Sequence, residues 1–546
     1  MTEFLNISKH LNEPLEKHKI YADKYGKNTI YWGLGIENEV YLEIVDKTAT
    51  FSKADFLTKH REERYSIDYF ANYKPNELRL AMIHMAEILD ISNEGISIPI
   101  LLKSHSFSKT DIQNQPQTNY TKVCEPNPQF SGKTFLDTLS EIDPEYFLSA
   151  KDCKWLFDGD TIEFPTRHFY NVTLDQVLTE LSDTKLEFIE HLNAALDKIP
   201  ELNRGIFKNQ PKIQIMSKNY AFATYLTNLK NIAMFNNGTL HYNLTLPTEL
   251  DGNGKIKDHA KFVYEHQQAI RAIQWLEPFL IAKYGASDPF SKDTEIGELF
   301  GGASQRSAIS RYIGIGTYNT DTMETGKILT KPLTELKCAQ NAQWWFREFY
   351  KNNGYSALSE IGMDINFNKH YNHGIEVRFL DHLTDEIDIS QSFEFLIYLM
   401  DFVLERINLG KNDINSHKYN ISNPCNSHLW NTFMLRVIKM GKKCELTSDE
   451  LIFFQGFFGF SMPFFKTNIL DIYHIIFVQL IGKYTKTNNI NLQDCSVLEH
   501  SVQECSPCGK FSSYALQGTT KHMFDQKMKI WKNSNNNNYG NCCNIL

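Results

Sequence analysis

The chain has 546 residues, a formal net charge of −9, 42% hydrophobic residues and 13% aromatic residues. This composition is typical of a globular protein with a large core, and the mild acidity without a basic run argues against a general nucleic-acid-binding protein. A polar N-terminal stretch, no uninterrupted apolar run of membrane-spanning length and ten scattered cysteines favour the cytosol and reduced thiols.

Apolar periodicity predicts the helices and strands in chain order. The predicted helices lie at 1–28, 52–95, 173–198, 259–284, 388–409 and 447–485. The predicted strands lie at 31–46, 155–166, 239–247 and 374–382. Residues 103–150 are polar and contain prolines, which indicates a long loop or an insertion. Because the strands and helices do not alternate as in βαβ units, the pattern favours the α+β class with an antiparallel sheet.

The first predicted strand, YWGLGIENEVYLEIVD, has two chemically different faces. Side chains alternate along a strand, so one face carries Leu34, Ile36, Val40, Leu42 and Ile44, and the other carries Glu37, Glu39 and Glu43. Glu37 and Glu39 are two residues apart, which on a strand is about 7 Å from Cα to Cα. Two interpretations fit this row: a solvated strand face, or a face on which carboxylates share divalent cations that offset their repulsion.

The other three predicted strands repeat this pattern. If all four lie in one sheet, its polar face carries Glu37, Glu39, Glu163, His241, Asn243, Glu376 and Arg378. Carboxylates and one imidazole suit two or three Mg²⁺ ions, and a guanidinium suits the phosphates of a nucleotide. Taken singly, His241 also fits a structural histidine, and Arg378 beside Glu376 also fits a surface ion pair.

Four segments, in order, resemble the eukaryotic-type glutamate–cysteine ligase family. The opening strand resembles that family's N-terminal metal-binding strand, and LHYNLTLP, the next helix and LIAKYGASDPF resemble its next landmark. SRYIGIGTY resembles its Ser-Arg-Tyr segment, and GIEVRFLDHLTDEIDISQSFEFLIYLMDFVL resembles its Glu-x-Arg strand and following helix. The resemblance covers residues 1–46 and 155–410. GIENE followed by DGDTIEFPT is also similar to the broader amidoligase group of glutamine-synthetase-like carboxylate–amine ligases.

The resemblance implies a curved antiparallel sheet with a polar active-site face and helices on its outer face. It also implies ATP- and Mg²⁺-dependent amide formation, in which a carboxylate attacks the γ-phosphate and an amine then displaces phosphate from the acyl phosphate. The metal ligands implied by position are Glu37, Glu39, Glu163, His241 and Glu376. Arg378 and Arg311 are the implied catalytic, phosphate-binding residues. Asn243 and Arg306 complete the implied nucleotide-binding set, although Arg306 is the weaker candidate and fits a surface residue better.

The expected organisation is a catalytic domain over 1–410, a helical region over 411–530 and a disordered tail over 531–546. The expected function is ligation of glutamate or another small carboxylate to an amine, with cysteine as the family's acceptor and no nucleic-acid partner. The family's cysteine-binding elements are not recognisable, so the acceptor stays open. The alternatives are a protein-modifying amino-acid ligase of the glutamylation type, with a protein acceptor, and a nucleotide-binding relative without catalysis.

Two further motifs lie near the C terminus. Cys495, His500, Cys505 and Cys508 form C-x4-H-x4-C-x2-C, which fits either structural zinc or unpaired thiols. The last residues are CCNIL, in which Cys543 begins a C-a-a-X pattern whose Leu favours geranylgeranylation, and Cys542 is an adjacent site for palmitoylation. The chain is therefore expected to be cytoplasmic, and peripheral on membranes if Cys543 is prenylated.

Overall fold

The computed structural model describes residues 30–46, 96–100, 120–122, 125–126, 135–150, 154–158, 161–166, 173–199, 212–216, 239–251, 255–286, 304, 317–327, 364–368, 374–411, 419–462, 467–486 and 511–516. The fold and the site described below are made up of these residues. The predicted helices at 1–28 and 52–95 and the predicted disordered tail at 531–546 lie outside them.

Strands and helices both contribute substantially to the described ranges. The strands are β1 (Ile30–Val40), β2 (Leu42–Asp46), β3 (Ile96–Ile100), β4 (Tyr120–Lys122), β5 (Glu125–Pro126), β6 (Leu156–Asp158), β7 (Thr161–Pro165), β8 (Lys212–Ile215), β9 (Leu240–Glu249), β10 (Thr317–Asn319), β11 (Glu324–Lys327), β12 (Ile365–Phe367) and β13 (Ile375–Leu380). The α-helices are α1 (Phe135–Ile142), α2 (Pro144–Phe147), α3 (Leu174–Leu196), α4 (His259–Tyr284), α5 (Glu386–Lys411), α6 (His428–Met440), α7 (Ser448–Phe458), α8 (Ile469–Lys486) and α9 (Phe511–Ala515).

A six-stranded antiparallel sheet is the centre of the fold, with the strand order β12–β13–β9–β1–β7–β6. The two long strands β9 and β1 lie in the middle, and Glu37 pairs with His241 across them. The four predicted strands all contribute to this one sheet. The predicted α+β class and antiparallel sheet are therefore confirmed.

The apolar face of the sheet packs against helices α3, α4 and α5. Apolar and polar side chains alternate along each strand, so Ile36, Tyr242 and Val377 are fully buried on this face. The ring of Tyr242 stacks on Phe393 of α5 at 4.4 Å between centroids, and its hydroxyl donates to the Ile389 carbonyl at 3.0 Å. Burying each large apolar side chain contributes about 1.5–3 kcal/mol relative to an exposed position.

Local sequence accounts for the bounds of these helices. The helix predicted at 259–284 is α4; the Asp258 side chain accepts a hydrogen bond from the backbone N–H of Lys261 at its start, and the helix ends before Gly285. The helix predicted at 173–198 is α3, which Thr173 caps in the same way. The helix predicted at 388–409 is α5, two residues longer at each end.

Two strand predictions are corrected. The strand predicted at 31–46 is two strands, because the chain leaves the main sheet at Tyr41: β1 pairs with β7 and β9, whereas β2 pairs with β3 and β8 in a separate three-stranded sheet. Glu43 therefore belongs to the second sheet and does not continue the carboxylate row of the first. The strand predicted at 155–166 is two paired strands, β6 and β7.

The segment 103–150, predicted as a loop or insertion, contains regular structure. Helices α1 and α2 and the two-stranded β4–β5 pair lie within it. The side chain of Asp143 accepts a hydrogen bond from the Tyr146 backbone N–H at the start of α2, and the buried Phe147 ring packs against Trp155. The loop prediction is wrong for residues 135–147, because the polar composition of the whole segment hid a short amphipathic run.

The described helices C-terminal to residue 411 share a hydrophobic core with α4 and α5. Trp275 of α4 lies 4.1 Å from Phe453 of α7 between ring centroids, and Trp430 of α6 donates from Nε1 to the carbonyl of Gln274 at 2.7 Å. Among the helices that the structure describes, none is both long and apolar enough to span a membrane.

Candidate metal centre

The polar face of the six-stranded sheet brings seven predicted site residues together. They are Glu37 and Glu39 of β1, Glu163 of β7, His241 and Asn243 of β9, and Glu376 and Arg378 of β13. Directly opposed residues on adjacent strands share a face of the sheet. The register opposes Glu37 to His241, Asn243 to Glu376, and Glu39 to Glu163.

The carboxylates of β1 are buried, which contradicts the interpretation of a solvated strand face. Glu37 is 4% exposed and Glu39 is 2% exposed, and Glu376 of β13 is also 2% exposed. β1 lies between β9 and β7, so it is not an edge strand. An ionised carboxylate in such a place needs a compensating charge, because removing it from water costs several kcal/mol.

Glu37, His241 and Glu376 form the centre of the site. His241 Nδ1 lies 2.9 Å from Glu37 Oε2 and 3.5 Å from Glu376 Oε1. One ligand atom from each residue lies within 4.8 Å of the other two. Neighbouring ligands of an octahedral ion with bonds of about 2.1 Å lie about 3 Å apart, so these spacings fit adjacent positions around one divalent cation. Carboxylates with a single imidazole suit Mg²⁺ or Mn²⁺.

Glu376 is held through both of its carboxylate oxygens. Asn366 Nδ2 donates to Oε2 at 2.7 Å, and Arg378 Nη1 donates to Oε1 at 3.1 Å. Burial alone lowers the pKa of the Arg378 guanidinium, but the charges of Glu376, Glu37 and Glu39 outweigh burial and raise the pKa above its ordinary value. Arg378 is therefore a permanent cation beside the carboxylates.

Thr239 connects Glu39 to the same cluster. The Thr239 hydroxyl lies 2.9 Å from Glu39 Oε2 and 2.9 Å from His241 Nε2, and the residue is fully buried. The Glu39 N–H also donates to the Thr239 carbonyl at 2.9 Å. Glu163 lies opposite Glu39 but is only half-buried. A continuous series of polar contacts thus extends from Glu39 to Arg378.

Two buried donor atoms on this face have no hydrogen-bond partner in the part of the chain that the structure describes. They are Nδ2 of Asn243 and Nε of Arg378. Unpaired buried donors are rare in folded proteins. Asn243 lies directly opposite Glu376, and Arg378 hydrogen-bonds Glu376. Both donors therefore lie beside the proposed cation position. Both can donate to an anionic group, such as a phosphate, that binds next to the cation.

Two residues of the site, Thr239 and Asn366, have no counterpart among the predicted ones. Thr239 directly precedes LHYNLTLP, and the alternation along that strand places it on the same face as His241 and Asn243. Asn366 alternates with Ile365 and Phe367 in a strand of three residues. A run that short carries too little periodicity to identify a strand.

Several predicted functional residues lie outside the described part of the chain. They are Arg306, Arg311, the motif of Cys495, His500, Cys505 and Cys508, and the C-terminal Cys542 and Cys543. The roles assigned to them, including zinc binding and lipidation, stay predictions.

Comparison with known proteins finds a viral relative. The chain is 34% identical over 454 residues to "Uncharacterized protein R704" of Acanthamoeba polyphaga mimivirus. The aligned region covers 83% of this chain and 74% of the viral protein. No family model matches the chain, and no solved structure matches it.

Proposed function

The chain belongs to the same family as the mimivirus protein R704, and we propose that it is a divalent-metal-dependent enzyme that uses ATP to join a carboxylate to an amine. The observation that carries this proposal is the buried cluster of Glu37, His241 and Glu376 with Arg378 in contact with it. A cation position and a phosphate-binding donor then lie side by side on one face of the sheet.

The charge balance of the polar face supports a bound cation. Among the side chains that the structure describes on this face, three buried carboxylates, those of Glu37, Glu39 and Glu376, lie near the guanidinium of Arg378. This described group of side chains is more negative than positive and lies in an environment of low dielectric constant. A divalent cation offsets that excess where the ligand atoms converge. Glu163, opposite Glu39, offers a carboxylate for a second cation.

The residues around the cluster suit the binding of a transferring phosphoryl group. The metal, when bound, neutralises charge on the nucleotide phosphates. Glu37, His241 and Glu376 would hold it, and Glu376 also orients the Arg378 guanidinium by accepting a hydrogen bond from Nη1. Arg378 Nε is then available to donate to the oxygens on which negative charge develops. Asn243 Nδ2 provides a second donor.

Among phosphoryl-transfer reactions, the resemblance to the glutamate–cysteine ligase family favours amide formation. The carboxylate substrate attacks the γ-phosphorus of ATP, ADP leaves, and the amine displaces phosphate from the acyl phosphate. An antiparallel sheet with helices on its apolar face and a polar opposite face is compatible with that family's architecture. Glutamate and cysteine are the substrates that the resemblance favours.

Release of ADP tests this proposal. The protein is incubated with Mg²⁺, ATP and L-glutamate, and each amino acid is tested in turn as the acceptor. ADP release that requires cysteine supports glutamate–cysteine ligation, and release that requires an added protein supports a protein-modifying ligase. If the protein binds the metal but releases no ADP with any acceptor, the proposal is wrong and the alternative of a relative without catalysis is favoured.

A pair of glutamate variants links the activity to the polar face. Glu39→Gln removes a buried carboxylate of the site and is expected to abolish ADP formation while leaving the fold intact. Glu265→Gln is the matched control, because Glu265 is 6% exposed but lies on helix α4, outside the polar face. Equal activity in the two variants would contradict the assignment of the site.

A further inference from the structure

The Thr239 hydroxyl lies between a carboxylate and an imidazole. Its Oγ1 is 2.9 Å from Glu39 Oε2 and 2.9 Å from His241 Nε2. Thr239 is completely buried, and its backbone is fixed to Glu39: the Glu39 N–H donates to the Thr239 carbonyl, and the Thr239 N–H donates to Oε2 at 3.4 Å. The hydroxyl therefore has little freedom to choose other partners.

Counting donors assigns the direction of both hydrogen bonds. A threonine hydroxyl has one proton to donate and lone pairs to accept with, whereas an ionised carboxylate only accepts. The single hydroxyl proton therefore goes to Glu39, and the hydroxyl oxygen accepts from His241. This requires the imidazole proton to be on Nε2. The opposite direction would place the hydroxyl oxygen and Glu39 Oε2 at 2.9 Å with no proton between them.

The consequence lies at the other nitrogen of His241. With the proton on Nε2, a neutral His241 directs the lone pair of Nδ1 at Glu37 Oε2, 2.9 Å away, and Glu376 Oε1, 3.5 Å away. No imidazole proton then lies between Nδ1 and the two carboxylate oxygens, and three electron-pair donors converge, which is the arrangement that a cation stabilises. We propose that Thr239 is a positioning residue that fixes the Nε2–H tautomer of His241, so that Nδ1 is the atom that ligates the divalent cation.

This inference rests on the metal centre of the proposed function, and a pair of Thr239 variants tests it. Thr239→Val keeps the shape of the side chain and removes the hydroxyl, and Thr239→Ser keeps the hydroxyl. Thr245→Val is the matched control, because Thr245 is buried on the same face of β9 but interacts with the Tyr31 side chain instead. Calorimetric titration with Mn²⁺ should show about 10- to 100-fold weaker binding in Thr239→Val, binding within about threefold of wild type in Thr239→Ser, and no change in Thr245→Val.

The ¹⁵N signals of His241 provide a readout that a merely structural role of Thr239 would not move. In wild-type protein saturated with diamagnetic Mg²⁺, and with signals assigned through His241→Gln, Nε2 should carry the proton and Nδ1 should not. A proton on Nδ1 in the Mg²⁺-loaded protein overturns the inference. This measurement needs no variant of Thr239, so it remains decisive if Thr239→Val does not fold.

The outcomes separate this inference from the proposed function. If wild type binds Mn²⁺ and releases ADP but Thr239→Val binds Mn²⁺ equally well, only the role of Thr239 is wrong. If binding depends on the hydroxyl but no acceptor supports ADP release, the ligase proposal fails and the role of Thr239 stands. If wild type binds neither Mn²⁺ nor Mg²⁺, both are wrong.

Discussion

Replacing Glu376 by Gln should separate metal binding from folding. Glu376 is 2% exposed and accepts hydrogen bonds from Asn366 and Arg378. Gln has the same shape and still offers one acceptor oxygen, but it lacks the charge that a cation needs. Without metal, the substitution also removes one of the two carboxylates that face His241 Nδ1. We therefore expect the metal-free variant to be as stable as wild type or more stable.

The loss should instead be in the stabilisation that metal provides. A cation that binds only the native state, at 100 times its Kd, stabilises the fold by about 2.7 kcal/mol. Removing a charged, buried ligand costs up to about 3 kcal/mol, which is roughly a 100-fold increase in Kd. At the same metal concentration, the variant then gains only about 0.4 kcal/mol.

Denaturant unfolding with Mg²⁺ and with EDTA measures both quantities in wild type, in Glu376→Gln and in the Glu265→Gln control. The expected pattern is an unchanged or higher metal-free stability and a nearly absent metal effect in Glu376→Gln alone. A full metal effect in Glu376→Gln would show that Glu376 is not a ligand. A large loss of metal-free stability would show that its ion pair with Arg378 is structural.

Three further changes have defined outcomes. Arg378→Lys should lower kcat roughly 10- to 1,000-fold with a smaller change in the KM for ATP, because Lys keeps the charge but loses the planar set of donors. Steady-state kinetics that show a change in KM alone would refute the role of Arg378 in phosphoryl transfer. Burial lowers the pKa of His266 from its ordinary 6.5 to about 4, because the buried site favours the neutral imidazole over the charged one in the folded state. The contribution of His266 to the free energy of unfolding should be complete above pH 6.5 and should fall by up to about 3 kcal/mol as the pH decreases towards 4. Unfolding measured at pH 7 and pH 5 should therefore depend less on pH in His266→Gln than in wild type. The Asp401 carboxylate accepts hydrogen bonds from the backbone N–H groups of Phe511 at 2.6 Å and Ser512 at 3.1 Å. Asp401→Ala should lower the free energy of unfolding by about 1–3 kcal/mol and raise amide hydrogen exchange selectively in residues 511–516. Unchanged exchange in those residues would contradict this anchoring role.

Helix α4 shows what local sequence can predict. Its apolar periodicity, the cap at Asp258 and the stop at Gly285 all lie within or next to the helix, so its bounds follow without knowledge of the rest of the fold. The break at Tyr41 differs, because no glycine or proline marks it. It depends on which strands pair on each side of that residue, and pairing is decided by distant segments.

For the candidate site, too, some features follow from local sequence and others depend on distant segments. Strand alternation places Glu37, His241 and Glu376 on one face once their strands are known to share a sheet. Their burial does not follow from alternation, since polar residues on a strand usually face water. It depends on β1 lying in the middle of the sheet. The contact of Thr239 with Glu39 depends on a pairing between residues 200 positions apart, which no local pattern reports.

Diffraction from crystals grown with Mn²⁺ and a non-hydrolysable ATP analogue would locate the cation itself, because the anomalous signal of manganese does not depend on activity. We expect a peak about 2.2 Å from His241 Nδ1 and from one oxygen each of Glu37 and Glu376, with a phosphate of the analogue in contact with Arg378. Nucleotide bound elsewhere, or no manganese between these three residues, would contradict it.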